Sequence, residues 1–149
     1  MPDLETIKKL RSICGASMTD CKRALVEAGD DLGKALEILK ERGAEIAEKK
    51  ASRETKAGVV DVYLHSDRKL GAIVELRTET DFVARTDEFK ALAHDLAMQI
   101  AAEGAENTEE LLVQPFIKDQ SKTVGDCIKE ATAKFGEKIE VAKFYRINL

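Results

Sequence analysis

Leu4, Ile7 and Leu10 recur at helical spacing behind Asp3, a good N-cap residue, and Gly15 supplies a stop. Ser17 then opens "SMTDCKRALVEAG", where Ser17 and Asp20 have the spacing of a capping box. Met18, Cys21 and Leu25 give this second segment its apolar side, and Gly29 ends it. Asp30 or Asp31 caps a third helix, in which Leu32, Ala35, Leu36 and Leu39 line one face before Gly43. Amphipathic helices joined by links of a few residues hide their stripes by packing on one another, so a compact three-helix bundle is predicted. From Ala44 to Lys56 the chain turns charged, "AEIAEKKASRETK", and reads as a solvated extension, helix or coil.

The period then changes. "AGVVDVYLH" alternates Val60, Val62 and Leu64 against Val59, Asp61 and Tyr63, and after "SDRK" the run "LGAIVELRTE" sets Ile73 and Glu75 against Val74 and Leu76. Two such runs around a short polar turn predict an antiparallel hairpin. Thr86 is an N-cap candidate for "DEFKALAHDLAMQIAA", whose Phe89, Leu92, Ala93, Leu96 and Ile100 fit a helix. "TVGDCIKEATAKFG" is another helix, with Val124, Ile128, Ala131 and Phe135 inward and Gly136 as its stop. In "KIEVAKFYRINL", Ile139, Val141, Lys143 and Tyr145 alternate with Glu140, Ala142, Phe144 and Arg146, a last strand to pair with the hairpin. The expected class is α+β: residues 1–52 as bundle plus charged linker, and 53–149 as a small antiparallel sheet covered by helices.

Composition narrows the function. Twenty-four basic residues against 28 acidic ones give a net charge of -4 with the signs mixed, which argues against a phosphate-gripping face for nucleic acid. Interleaved Glu45, Glu48 and Glu54 argue the same way for the charged linker. No apolar run approaches the ~20 residues of a membrane span, and "MPDLETIKKL" lacks a signal-peptide core, so a cytoplasmic location is expected. Cys14, Cys21 and Cys127 form no CxxC pair and read as small buried hydrophobes, and His65 and His94 as surface or boundary residues. No nucleotide-binding loop, metalloprotease or nucleophile-elbow motif is present. Nothing suggests covalent chemistry, a resident metal or a cofactor.

One stretch concentrates candidate chemistry: "TETDFVARTDEF", Thr78 to Phe89, with Glu79, Asp81, Asp87 and Glu88 around Phe82. A catalytic acid pair of Glu79 and Asp81 would need a pocket and a partner base that no motif supplies. A Ca²⁺ loop would need carboxylates at alternate positions, a central glycine and a terminal glutamate. As ordinary structure, Thr80 caps a helical turn, the acids favour its N-terminus and Phe82 fills the core. Spacing alone leaves open whether Phe82 faces in or out.

"TDFVARTDEF", with "LAHDLAMQIAA" after it, resembles a stretch of bacterial elongation factor Ts. "LRSICGASMTDCKRAL" is similar to that family's "LR..TGAGMMDCKKAL", and "QPFIKDQSKTVGDCIKEATAKFGEKI" to its "QPF...SKTV" segment. The three blocks run in family order from Leu10 to Ile139, and the resemblance covers essentially the whole chain. It implies a guanine-nucleotide exchange factor for elongation factor Tu, with a bundle similar to ubiquitin-associated domains and no covalent catalysis. The residues implied to disturb the partner's Mg²⁺ site are Thr80, Asp81, Phe82 and Val83. The bundle's partner-facing loop maps onto Gly15, Ala16, Ser17, Met18 and Thr19, with Lys22 and Arg23 behind. Met18 reads either as core or as contact, given its helical spacing to Cys21 and Leu25. Ser17 and Thr19 depart from the family pattern, which has Gly and Met there. Common longer members carry a second core half; this chain resembles a short form with one core copy, whose exposed sheet implies a homodimer. The alternative from another class is a ubiquitin-like or peptide-binding scaffold module without exchange activity, in which Phe82 would be core.

Overall fold

The computed structural model describes residues 1–149. Its elements run α1 (Leu4–Cys14), α2 (Met18–Glu27), α3 (Leu32–Lys50), β1 (Ala57–Leu64), β2 (Leu70–Thr78), α4 (Asp81–Ala84), α5 (Asp87–Glu103), α6 (Thr108–Val113), β3 (Pro115–Phe116), β4 (Asp119–Thr123), α7 (Val124–Phe135) and β5 (Glu140–Asn148). Two compact units result: Met1–Ala51 with Lys129–Gly136, and Ser52–Ile128 with Glu137–Leu149.

In the first unit each helix starts on a side-chain cap that takes up an orphan amide. Asp3 accepts from Thr6 N at 2.8 Å, Ser17 from Asp20 N at 3.1 Å and Asp31 from Lys34 N at 3.0 Å. Gly15 closes α1 at φ 72°, a left-handed position that favours glycine. Ile7, Leu10, Cys21, Ala24, Leu25 and Ala35 are buried together, with Met18, Leu32, Leu36 and Leu39 packed against them. Leu4, expected on the α1 stripe, is exposed at the bundle's end. Gly43 does not stop α3. The helix continues for 19 residues to Lys50, because the Glu, Ala and Lys residues that follow are strong helix formers and outweigh a glycine cost of ~1 kcal/mol. Gly43 is buried, and a Cβ there would stand 3.6 Å from the Ala133 Cβ. The charged segment is therefore helix as far as Lys50 and irregular beyond it.

In the second unit β2 lies at the centre of an antiparallel sheet of order β1-β2-β5. Helix α5 packs on β1 and β2, over Ala72, Val74, Leu76 and Thr78, which are all buried. Gly58 is required in β1, since any side chain would meet the Leu76 carbonyl oxygen at 2.3 Å. The hairpin alternation is as expected, yet in β1 the more apolar set faces outward: Val60, Val62 and Leu64 are exposed, as is Ile73 of β2. The β5 alternation breaks. A register shift opposite Glu75 and Leu76 pairs Leu76 with Val141 but Glu75 with Lys143. The extra residue turns the strand, so Ile139 and Val141 are buried while Lys143 and Tyr145 join the exposed face. Helix α6 and the β3–β4 pair are too short to show a period. Gln99, fully buried on α5, holds that pair: its amide donates to Gln114 Oε1 and Pro115 O, and its carbonyl accepts from Ile117 N at 2.8 Å. No helix is long and apolar enough to cross a membrane.

Candidate functional site

The chain leaves β2 at Thr78 and turns at once into α4, a single helical turn. Val83 and Ala84 are buried and anchor it, while Asp81 is exposed and Phe82 is 88% exposed. Phe82 therefore faces out. The reading that placed it in the core is overturned; Phe89, seven residues on, is the fully buried ring. Thr86 joins the two helices, since its hydroxyl donates to Val83 O at 2.8 Å and accepts from Phe89 N at 3.2 Å.

Thr80 occupies the N-cap position of α4 with an extended backbone, but its side chain caps nothing. Its hydroxyl donates instead to Glu137 Oε2 at 2.6 Å. The charged carboxylate makes this a strong hydrogen bond and draws the hydroxyl towards Glu137. The other Glu137 oxygen accepts from Thr80 N at 2.9 Å and from Thr78 Oγ1 at 3.0 Å. In return, Lys138 N donates to Glu79 Oε1 at 2.9 Å, and Arg53 approaches Glu79 Oε2 at 3.4 Å. Glu79 is thus engaged in holding the turn, and Asp87 and Glu88 stand exposed at the start of α5, where acids favour the helix dipole. No group of three or more His, Cys, Asp or Glu side chains is placed to hold a metal ion.

The second candidate region is the α1–α2 turn. Gly15 and Ser17 shape it, and Ala16 packs against the bundle core. Met18, Thr19 and Lys22 line an open groove of about 380 Å³ with Met1, Pro2, Leu4 and Ile7. Arg23 is exposed and does not line it. Met18 belongs to both readings, packing on the core from one side and forming groove wall on the other. Behind the turn the sulfurs of Cys14 and Cys21 lie 3.9 Å apart, and burial pushes the Cys21 thiol up to about 12. Thr80–Val83 thus lie in the second unit and 15–23 in the first. The residue of this region that periodicity misses is Glu137. It lies 57 residues from Thr80, and no local signal marks it.

The description Elongation factor TS matches residues 79–149, a span that begins at the residue engaged by Lys138 and Arg53. Elongation factor Ts of Aquifex aeolicus is 47% identical over 148 residues, which is 96% of this chain and 51% of that protein. The chain therefore spans about half the length of that relative. Elongation factor Ts of Thermotoga petrophila is 40% identical over 189 residues, covering 98% of this chain and 95% of the relative. That of Carboxydothermus hydrogenoformans is 40% identical, covering 97% and 88%. The alignment of 189 positions exceeds the 149 residues here, so the Thermotoga protein carries positions without a counterpart in this chain. With similarity running through both units and along almost the whole length of such relatives, this chain belongs to the elongation factor Ts family.

Proposed function

We propose that this chain is a guanine-nucleotide exchange factor for elongation factor Tu, working in the cytoplasm during translation elongation. The observation that carries the reading is Phe82: a large apolar ring, 88% exposed, on a turn held by Thr80 at one end and by the buried Val83 and Ala84 at the other. An aromatic held this way enters a partner at small entropic cost, because few torsions remain to be frozen. Phe82 wedges into the G domain beside the Mg²⁺ site, Asp81 engages the groups that hold the ion, and Thr80 and Val83 form the base of the wedge. Mg²⁺ neutralises the phosphate oxygens of GDP, so displacing its ligands weakens the nucleotide without touching it. Linkage makes the effect mutual: nucleotide and factor weaken one another by the same factor, about tenfold for each ~1.4 kcal/mol of coupling. No covalent bond is made or broken.

The bundle, read as ubiquitin-associated-like, serves as anchor through Gly15, Ala16, Ser17, Met18, Thr19, Lys22 and Arg23. The exposed sheet face of Val60, Val62, Leu64, Ile73, Tyr145 and Ile147 is the surface for a second copy. Light scattering should report a dimer, and a complex of two factor and two Tu chains; a monomer at micromolar concentration ends that part. The central test is release of fluorescent GDP from Tu. Wild-type protein should accelerate it, and Phe82→Ala should slow release much more than it weakens binding. Equal acceleration by Phe82→Ala would remove the wedge.

A further inference from the structure

We propose that Glu137 is the positioning residue of the exchange surface, its carboxylate setting the turn that displays Phe82; this rests on the exchange reading above. A one-turn helix does not hold itself, because nucleation costs more than so few hydrogen bonds return. The internal backbone bonds of α4 and its exit are Ala84 N to Thr80 O, Arg85 N to Asp81 O and Thr86 N to Val83 O, at 3.0–3.2 Å. Phe82 is almost free of contacts, so its direction is set by the two ends of the turn. Thr86 and the buried Val83 and Ala84 secure the downstream end. At the upstream end Glu137 takes three hydrogen bonds on its two oxygens, from Thr78 Oγ1, Thr80 N and Thr80 Oγ1. The adjacent Lys138 N returns one to Glu79. The two junctions, β2–α4 and α7–β5, are thereby clasped across 57–59 residues of chain.

The clasp also decides between two states of Thr80. Turned towards Glu137, the Thr80 hydroxyl makes no bond to the first amides of α4. Without the carboxylate, Thr80 is released to cap that turn locally, the ordinary behaviour of threonine at this position. The fold of the sheet and α5 does not require the change, but the turn and its ring would take another direction. Displacements of about 1 Å suffice to cost large factors where geometry governs rate.

The test compares wild type with Glu137→Ala, Glu137→Gln and Thr78→Val, using the full chain. Three quantities are read: hydrogen exchange at the Thr80 amide, fluorescent-GDP release from Tu at saturating factor, and the factor concentration giving half that rate. In Glu137→Ala the Thr80 amide should lose about tenfold or more of its protection, the usual reach of a lost charged hydrogen bond. The saturating release rate should fall by a similar factor, about tenfold, while the half-saturating concentration changes less, because the bundle still anchors the partner. Glu137→Gln keeps one acceptor and should restore part of both the protection and the rate. Thr78→Val, a buried near-isostere that removes one bond to Glu137, should give a smaller loss in the same direction. A folded Glu137→Ala or Glu137→Gln with wild-type protection and release overturns the proposal. So does a deficit that tracks melting and disappears on cooling, which would make Glu137 merely structural. Wild-type protein inert towards Tu would sink the exchange reading and this inference with it; an active wild type beside a fully active Glu137→Ala sinks this inference alone.

Discussion

At the α1–α2 turn the stabilising hydrogen bonds are made within a few residues of chain: Ser17 with Asp20, and Gly15 with Arg11. At the β2–α4 turn they arrive from 57 to 59 residues away, on Glu137 and Lys138. Both turns present apolar side chains to solvent, but the first is a local device and the second a tertiary one. A local device survives rearrangement elsewhere, which suits an anchor. A tertiary one transmits the state of the strands it ties together, which suits a wedge whose direction matters.

The largest expected effect sharpens this contrast within the second unit. Phe89→Ala truncates a fully buried ring and should cost ~3–5 kcal/mol of stability. Phe82→Ala should leave stability within ~0.5 kcal/mol while GDP release falls, as for surface substitutions away from structural features. Melting and GDP release measured on both mutants decide it; an early-melting Phe82→Ala that still drives exchange would reverse their roles. Next comes Met18→Asp in the bundle. Because Met18 is both groove wall and core support, it should weaken association with Tu and cost about 1–3 kcal/mol of stability. Unchanged binding in titration calorimetry would confine Met18 to the core.

How much of this was legible in the sequence follows the same division. The caps Asp3, Ser17, Asp31 and Thr86 each bond an amide three residues on, so spacing alone reveals them. Their helices and the hairpin were readable, as was the family resemblance of the Thr80–Val83 stretch. The unreadable features depend on distant partners. Gly43 looks like a stop, but the helix runs through it, close to Ala133. The β5 bulge shows only when β5 is set against β2, and Thr80 reads as a cap until Glu137 is seen beside it. The direction of Phe82 belongs to the same group, since hydrophobicity argues for the core and only the packing of Val83 and Ala84 turns the ring outward.

A smaller effect tests the local turn. Ser17→Ala removes the α2 cap and should lower bundle stability by about 1 kcal/mol without changing the saturating release rate. A fall in that rate, seen at saturating factor, would mean that the anchor also steers the wedge.

The smallest effect near neutrality is pH, and it separates the units at one end of the scale. The Thr55 hydroxyl bonded to Glu140 holds that carboxyl below its usual value, and the Thr6 amide does the same for Asp3. Each contributes stability present above the unfolded carboxylate value and lost as pH falls through the lower folded one, so acid weakens both units. At the alkaline end Cys21 loads the first unit. Burial raises the Cys21 thiol to about 12, so its contribution is full below the unfolded value of about 8.5 and is lost as pH rises from there towards 12. Amide exchange in α1 and α2 should speed up at pH 9–10 before that in β2, and Cys21→Ala should abolish the difference. Simultaneous loosening of both units would break the comparison.

The central place of β2 has a consequence for the order in which the molecule is made. Its partner β1 is close in sequence and can pair as soon as the hairpin leaves the ribosome, whereas β5 follows more than sixty residues later. Pairings of such separation form late, because loop closure must be met before the contacts return anything. Until residues 137–148 are synthesised, the central strand lacks one neighbour and Thr80 lacks its acceptor. A growing chain can therefore pack the core shared by α1, α2 and α3 well before the turn that carries Phe82 is fixed at its upstream end.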